Sequence, residues 1–152
     1  MRSLFLALLN EPSFVQNIGD KGVRTMADAS RYLLDGPIAS YERFGFGLYL
    51  VELRETGAAI GICGLLQRDT LPDVDIGFAF LPAYWAKGYA VESAAAVLIY
   101  ARETLGLKRL LAITDPNNEG SIRVLERIGF TFDRMMRLAV DSPEVRLFKS
   151  EF

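Results

Sequence analysis

The sequence predicts a mixed α/β fold in which helices pack on a β-sheet. Three observations predict it. Apolar residues recur at helical spacing near the N-terminus, strand-forming segments follow in the middle, and two further helical segments alternate with strands towards the C-terminus. A chain of 152 residues is long enough to bury a substantial core, and we expect residues 1–152 to form one domain.

The first 45 residues are predicted to be mainly helical. Apolar residues within Leu4–Leu9 have helical spacing, and Asn10–Pro12 is expected to end that helix. Thr25–Asp28 resembles a capping box with aspartate in the last place, which predicts a helix to about Leu34. Asp35–Pro37 contains glycine and proline and is expected to break this second helix.

The middle of the chain predicts three strands. Phe46–Leu53, Ala58–Leu66 and Val74–Phe80 are rich in strand-forming residues. Arg54–Gly57 has the composition of a hairpin loop between the first two. Gly77 lies inside the third strand, where a glycine predicts a bulge or a close approach by another group.

The second half alternates between helix and strand. A short loop leads into a helix with one apolar stripe, and a glycine follows that helix as a stop signal. The predicted segments are, in order, a loop at Leu81–Tyr89, a helix from about Ala90 to Leu105, a strand at Lys108–Thr114, a helix ending near Ile128, and two strands at Phe130–Val140 and Val145–Phe148.

Composition restricts the classes of function. The formal net charge is −2, which gives no electrostatic reason to expect nucleic acid or an anionic membrane as a partner. The sequence has no apolar run long enough to span a membrane, and its only cysteine, Cys63, cannot form an internal disulfide, so we expect a cytoplasmic protein. The absence of histidine excludes Ser-His-Asp and Cys-His catalysis and argues against a zinc site, so we expect no metal.

The loop at Leu81–Tyr89 has the features of an anion site. It connects a strand directly to a helix, whose first N–H groups lack partners and whose dipole attracts negative charge. Gly88 lets backbone approach a bulky anion, Ala90 is nearly as small, and Lys87 adds a positive charge. From spacing alone, a simple tight turn is an equally good interpretation. Neither the P-loop pattern nor GxGxxG is present.

A second segment, Asn118–Phe130, has a local interpretation as a capped helix. An asparagine is a good N-cap, and Glu119 suits the first turn of a helix. Taken alone, the segment therefore favours a structural role over a functional one.

Together, the two segments resemble a known family. Leu81–Glu92 is similar to the acyl-CoA-binding motif of the GNAT N-acetyltransferases, Arg/Gln-x-x-Gly-x-Gly/Ala, with Trp85 in the first place, Gly88 in the fourth and Ala90 in the sixth. A tryptophan there is typical of the branch that contains the ribosomal-protein N-terminal acetyltransferases. Asn118–Phe130 resembles the Asn-x-x-Ser…Gly-Phe segment of the same branch.

The resemblance covers about Leu4 to Phe148 and implies a mixed, mostly antiparallel sheet with flanking helices and a splayed central strand pair. It implies that acetyl-CoA binds in the splay, with its pantetheine amides on the backbone of Phe78 and Phe80. Gly77 would supply a bulge for the splay, and the N–H near Phe78 would face the oxyanion. The pyrophosphate-binding residues implied are Trp85, Ala86, Lys87, Gly88, Tyr89 and Ala90.

One departure from the family concerns the start of the sheet. The family normally opens with a strand before the first helix, whereas this sequence starts inside that helix. Either the start of the sequence is placed late, or the sheet lacks its first strand. Its neighbour's edge would then be exposed, with lower stability or coverage by a partner chain as the consequence. A homodimer is one way to cover it.

The implied reaction is direct attack of a neutral amine on the thioester, which requires a base because alkyl amines are mostly protonated at pH 7. We favour Asp75, acting through water. Asp73 is expected on the same strand face, and a solvated strand-edge carboxylate is an equally good interpretation of Asp75. Glu52 and Glu42 are weaker alternatives.

The leaving thiolate needs a hydrogen bond or a proton. Many family members use a tyrosine four residues after the Ser121 position, and this chain has Leu125 there. The resemblance implies instead that Ser121 approaches the sulfur and that Asn118 contacts the cofactor. Proximity of the reactants is expected to supply much of the rate. Cys63 is expected to be a buried apolar residue rather than an acyl carrier.

The sequence therefore favours an acetyl-CoA-dependent N-acetyltransferase acting on a primary amine, either a protein N-terminus or a small molecule. The alternative is a non-catalytic CoA-binding or interaction domain of the same fold, which Leu125 and the missing strand support. A nucleotide-phosphate binder is a more distant third. The sequence does not identify the acceptor or the oligomeric state.

Overall fold

The computed structural model describes all 152 residues and contains one six-stranded sheet with the order β1-β2-β3-β4-β6-β5. Every neighbouring pair is antiparallel except β3 and β4, which are parallel. The predicted mixed, mostly antiparallel α/β fold is confirmed. The strands are β1 (Leu48–Glu52), β2 (Ala59–Leu66), β3 (Asp75–Phe80), β4 (Arg109–Thr114), β5 (Thr131–Arg137) and β6 (Glu144–Glu151).

Helices cover both faces of the sheet. They are α1 (Arg2–Leu9), α2 (Pro12–Asn17), α3 (Met26–Leu33), α4 (Ala39–Phe44), α5 (Tyr89–Ile99) and α6 (Glu119–Arg127). On one face, Ala94 of α5 and Leu125 of α6 pack with Leu65 and Ile76 of the sheet. On the other face, α1 and α3 pack against Ile62. This division follows from the alternation of side chains along each strand. The structure contains no helix with the length and hydropathy of a membrane span.

The helix that begins after Thr25 differs from the prediction in its length. The capping box is confirmed, since the Thr25 side chain accepts from the Asp28 N–H and the Asp28 carboxylate accepts from the Thr25 N–H. The predicted break at Asp35–Pro37 is wrong, because the chain continues through a π-helical turn at Leu34–Ile38 into α4. A wider turn accommodates the proline ring, which would clash with a carbonyl in a regular α-helix.

Two alternatives were predicted at Gly77, a bulge and a close approach by another group. The bulge is absent, whereas a close approach is present, since a Cβ there would lie 3.3 Å from the Leu66 Cδ1. Gly77 pairs in regular register with Gly64 of β2. The register irregularities lie elsewhere, between Val51 and Glu52 and between Phe132 and Arg134. The separation of the central strands therefore does not depend on an extra residue at Gly77.

The central strands β3 and β4 are paired at one register position only. Asp75 of β3 is the single register partner of Leu111 of β4, and the Leu111 N–H donates to the Val74 carbonyl at 3.0 Å. Beyond this point β3 stays paired with β2 as far as Phe80, while β4 stays paired with β6. The two strands therefore separate towards their C-terminal ends, as the resemblance implied.

Because β1 packs closely against β2, we predict that Gly64→Ala strongly destabilises the fold. A Cβ at Gly64 would lie 2.8 Å from the Leu48 Cα and would overlap the Gly47 carbonyl oxygen. We expect the free energy of unfolding to fall by about 1–3 kcal/mol or more, as in other overpacked cores. Urea unfolding followed by circular dichroism measures this change.

Gly36→Ala is the matched control for this prediction. Nothing lies within 4 Å of a Cβ at Gly36, and the residue is in a helical segment, where alanine is preferred to glycine. We expect Gly36→Ala to leave the free energy of unfolding unchanged or to raise it slightly. Equal losses in the two variants would contradict the proposed overlap.

Candidate active site

A cavity of about 830 Å³ opens beside the C-terminal half of β3. Its walls come from α1 and α2, from the end of β3, from the loop before α5 and the first turn of α5, and from one face of α6. Nine of the ten residues predicted to contact the cofactor line it, namely Phe78, Phe80, Trp85, Ala86, Gly88, Tyr89, Ala90, Asn118 and Ser121. Two segments that are distant in sequence are thus brought together around one space.

The loop presents a continuous run of unpaired backbone donors. The Trp85 N–H donates to the Pro82 carbonyl, and the next intrahelical bond runs from the Glu92 N–H to the Gly88 carbonyl at 3.0 Å. The six N–H groups between them, from Ala86 to Val91, have no acceptor within the protein. Such a run at the start of a helix is well suited to bind an anion.

The backbone of this loop is held in an unusual conformation. Ala86 has φ +58° and is the only non-glycine residue with positive φ, while Gly88 has φ +85°. Left-handed residues turn successive N–H groups into a concave, anion-binding surface. For alanine this conformation costs roughly 1–2 kcal/mol. Strain of this kind is concentrated at functional sites, which supports a binding role for the loop.

Trp85 fastens the loop to the sheet. Its indole Nε1–H donates to the Phe80 carbonyl oxygen at 2.8 Å, and its side chain is half-exposed beside the cavity. The Phe80 carbonyl thus has one partner within the protein and keeps a second lone pair, so its pairing with pantetheine stays a prediction.

The remaining backbone groups of β3 face the gap. The Leu81 N–H donates to the Ile60 carbonyl at 2.9 Å, so these two residues form a hydrogen-bonded pair of the antiparallel ladder. Hydrogen-bonded pairs alternate with non-bonded pairs, and Phe78 and Phe80 fall at the non-bonded positions opposite β2. Their N–H groups and the Phe78 carbonyl therefore point away from β2, into the space that β4 has left.

Lys87 differs from the other predicted loop residues. It is exposed and does not line the cavity, so the positive charge expected beside the anion site is not supplied by this side chain. Its neighbours Ala86 and Gly88 line the cavity, whereas Lys87 lies outside it.

The start of α6 is organised as predicted. The Asn118 side-chain oxygen accepts from the Ser121 N–H at 3.2 Å, which confirms the N-cap. Ser121 is partly exposed and lines the cavity. Leu125 is buried in the core, so α6 offers no acid at that position.

Asp75 lies apart from the cavity and is fully buried at the start of β3. Both of its oxygens accept from the Nε–H of Arg68, at 3.1 and 3.2 Å. Burial raises the pKa of Asp75 to about 6, although the charge of Arg68 acts in the opposite direction. The carboxylate shares a face of β3 with Ala79, which lines the cavity, but lies about 10 Å along the strand from Phe78.

The other candidate bases lie in different surroundings. Asp73 precedes β3 rather than lying on it, so the expected alternation with Asp75 is wrong, and its carboxylate is 3.4 Å from the Arg109 Nε. Glu52 and Glu42 are exposed, and neither lines the cavity. Asp75 differs from these three in being fully buried.

Cys63 has the environment expected of a core residue. Its side chain is 2% exposed within the apolar cluster beneath α5 and α6, and burial raises the pKa of its thiol to about 12. A thiol in this state is a poor nucleophile.

Several lining residues were not singled out from the sequence. On α6 these are Arg123 and Arg127, which share a face with Gly120 and Val124. Their helical spacing was the available signal. Residues of α2 also line the cavity, and no motif marked that helix.

Comparisons with known proteins agree with this geometry. Residues 2–131 match the family described as Acetyltransferase (GNAT) domain. The uncharacterized N-acetyltransferase YnaD of Bacillus subtilis (strain 168) is 33% identical over 109 residues, covering 72% of this chain and 61% of the relative. The probable N-acetyltransferase YjcK of the same organism is 35% identical over 91 residues, covering 59% and 49%. The chain spans about half to three-fifths of the length of the curated relatives it matches.

Solved structures show the same fold. The crystal structure of an acetyltransferase from Agrobacterium tumefaciens str. C58 is 27% identical with a TM-score of 0.79, covering 99% of this chain and 82% of that one. The spermidine N-acetyltransferase from Vibrio cholerae, in complex with CoA and spermine, is 13% identical with a TM-score of 0.79, covering 99% and 89%. Because the family match extends over most of the chain and the fold agrees, the protein belongs to the GNAT acetyltransferase family.

Proposed function

We propose that this protein is an acetyl-CoA-dependent N-acetyltransferase that acetylates a primary amine by direct attack. The observation that carries the proposal is the run of unpaired N–H groups from Ala86 to Val91 beside the gap between β3 and β4. The run suits a pyrophosphate, and the gap beside it offers backbone partners for a narrow chain with amide groups.

In this proposal different residues of the cavity bind different parts of the cofactor. The loop N–H groups hold the pyrophosphate, and Asn118 contacts the cofactor from the opposite wall. The backbone of Phe78 and the Phe80 N–H pair with the pantetheine arm. The N–H at Phe78 then faces the thioester oxygen, where a fixed donor stabilises the developing negative charge.

Acetyl-CoA supplies the acetyl group as a thioester. The neutral amine attacks the carbonyl carbon, so a C–N bond forms and the C–S bond breaks. Because Asp75 lies about 10 Å along β3 from Phe78, the amine proton reaches it along a chain of waters rather than through one. The hydroxyl of Ser121 donates a hydrogen bond to the departing sulfur. A carboxyl whose pKa is about 6 is better matched to proton transfer near neutral pH than an ordinary aspartate.

The proposal includes two classes of acceptor, small amines and protein N-termini. Structures of similar fold include a spermidine N-acetyltransferase bound to spermine and a ribosomal-protein-S5-alanine acetyltransferase from Vibrio fischeri, at 13% and 15% identity. These represent both classes and favour neither. The proposal also includes a cytoplasmic location, a homodimer and the absence of nucleic-acid and membrane partners.

A non-catalytic CoA-binding domain is the second candidate. Leu125 in place of an acid and the burial of Asp75 outside the cavity favour it. Release of free thiol from acetyl-CoA across a panel of amines separates the two functions. Binding of acetyl-CoA without turnover on any amine would favour the second.

We predict that Gly88→Val weakens CoA binding by roughly a hundredfold, equivalent to the loss of one or two charge-assisted hydrogen bonds. Nothing in the protein lies within 4 Å of a Cβ at Gly88, so the new side chain would enter the space assigned to the pyrophosphate. Titration calorimetry with CoA measures the affinity.

The control for backbone strain is Gly106→Val. Gly106 also has positive φ and no neighbour within 4 Å of its Cβ, but it does not line the cavity. We expect this variant to lose stability and keep its affinity in the folded fraction. Equal loss of affinity in both variants would place the site elsewhere.

The assignment of Asp75 as base predicts a pH dependence of kcat/KM. Activity should rise with pH through about 6, as the buried carboxyl loses its proton, in addition to any limb due to the amine itself. Asp75→Asn should remove the limb near pH 6 and lower the plateau by about 10²–10⁴-fold. A limb near pH 6 that persists in a folded Asp75→Asn variant would exclude this role.

Ser121→Ala tests the second catalytic residue. We expect kcat to fall by roughly tenfold, corresponding to one hydrogen bond to a charged group, with little change in the affinity for CoA. Steady-state kinetics together with calorimetry separate the two effects. Equal losses in kcat and affinity would indicate a binding role alone.

A further inference from the structure

The wall of the cavity formed by α6 is cationic. Arg123 and Arg127 are four residues apart, so they lie on one face of the helix, and both line the cavity. They are the only charged residues that do so, since no aspartate, glutamate or lysine is among the lining residues. This local positive charge contrasts with the net charge of −2 of the whole chain.

Neither arginine is committed to a strong partner within the protein. Arg127 makes no ion pair with a carboxylate. Arg123 lies 3.8 Å from Glu119, and both side chains are largely exposed, so this pair contributes little to stability. Two guanidinium groups are thus available to an anion in the cavity.

The cavity consequently has two separate sites for negative charge. One is the run of backbone N–H groups from Ala86 to Val91, and the other is the arginine pair on α6. Coenzyme A carries two separate anionic groups, a pyrophosphate and a phosphomonoester on the ribose 3′ oxygen. The planar guanidinium suits the phosphomonoester, because it can donate two parallel hydrogen bonds to phosphate oxygens.

We propose that Arg123 and Arg127 bind the 3′-phosphate of coenzyme A and make the cavity selective for this cofactor over 3′-dephospho-CoA. The inference rests on the proposed function. The order of residues along α6 agrees with it, since Arg127 lies about 9 Å along the helix axis from Ser121, at the end of the cavity away from the thioester.

The test compares the affinities of CoA and 3′-dephospho-CoA by titration calorimetry. We expect the wild-type protein to bind CoA about tenfold to a hundredfold more tightly, the range for charge-assisted hydrogen bonds. The double variant Arg123→Gln/Arg127→Gln should bind both ligands with the wild-type affinity for 3′-dephospho-CoA. Arg102→Gln, which changes an exposed arginine outside the cavity, should keep the wild-type preference.

Two results would overturn the inference. One is equal affinity of the wild-type protein for both ligands, and the other is an equal loss for both ligands in the double variant, which would indicate a general electrostatic effect. Failure of the wild-type protein to bind either ligand would instead contradict the proposed function itself.

Discussion

The separation of β3 from β4 is the constraint on which the rest of the structure depends. The two strands share one register contact, at Asp75 and Leu111, and each is held in place by its outer neighbour. β2 pairs with the outer edge of β3 and β6 pairs with the outer edge of β4, so each side of the gap is held by its own ladder. Backbone groups at Phe78 are left without strand partners, which a fold tolerates only where water or a ligand satisfies them.

The position of the anion site follows from the same arrangement. The chain leaves β3 beside the gap, turns through Ala86 and Gly88, and enters α5 at once. Ala94 of α5 and Ala101, in the π-helical turn Tyr100–Thr104 that continues α5, are small and buried. They let this helical segment lie close to the sheet, which fixes the direction of its first N–H groups. The left-handed turn is thereby held between two fixed points, β3 on one side and a packed helix on the other, so the strain at Ala86 is sustained by the core.

Elements that depend on nearby residues could be predicted from the sequence, whereas features that depend on tertiary packing could not. The strands and the cap at Asn118 follow from nearby residues and are present as predicted. The helix break at Asp35–Pro37 was wrong because burial of Pro37 favours a continuous helical segment with a wider turn. Arg123 and Arg127 were missed because the face that a helix presents to a cavity depends on how the whole helix docks.

The burial of Asp75 also depends on tertiary packing, and it affects the stability of the fold. Its folded-state pKa of about 6 lies above the ordinary value of 3.8, so its contribution to stability is fully present below about pH 4 and is lost as the pH rises through about 6. The loss is on the order of 3 kcal/mol from the size of the shift. A neutral asparagine of similar shape would avoid this loss. A buried carboxyl with this cost at neutral pH fits the proposed role of Asp75 in proton transfer. Its hydrogen bonds from Arg68 also give it a structural role, because they hold the loop before β3 to the sheet.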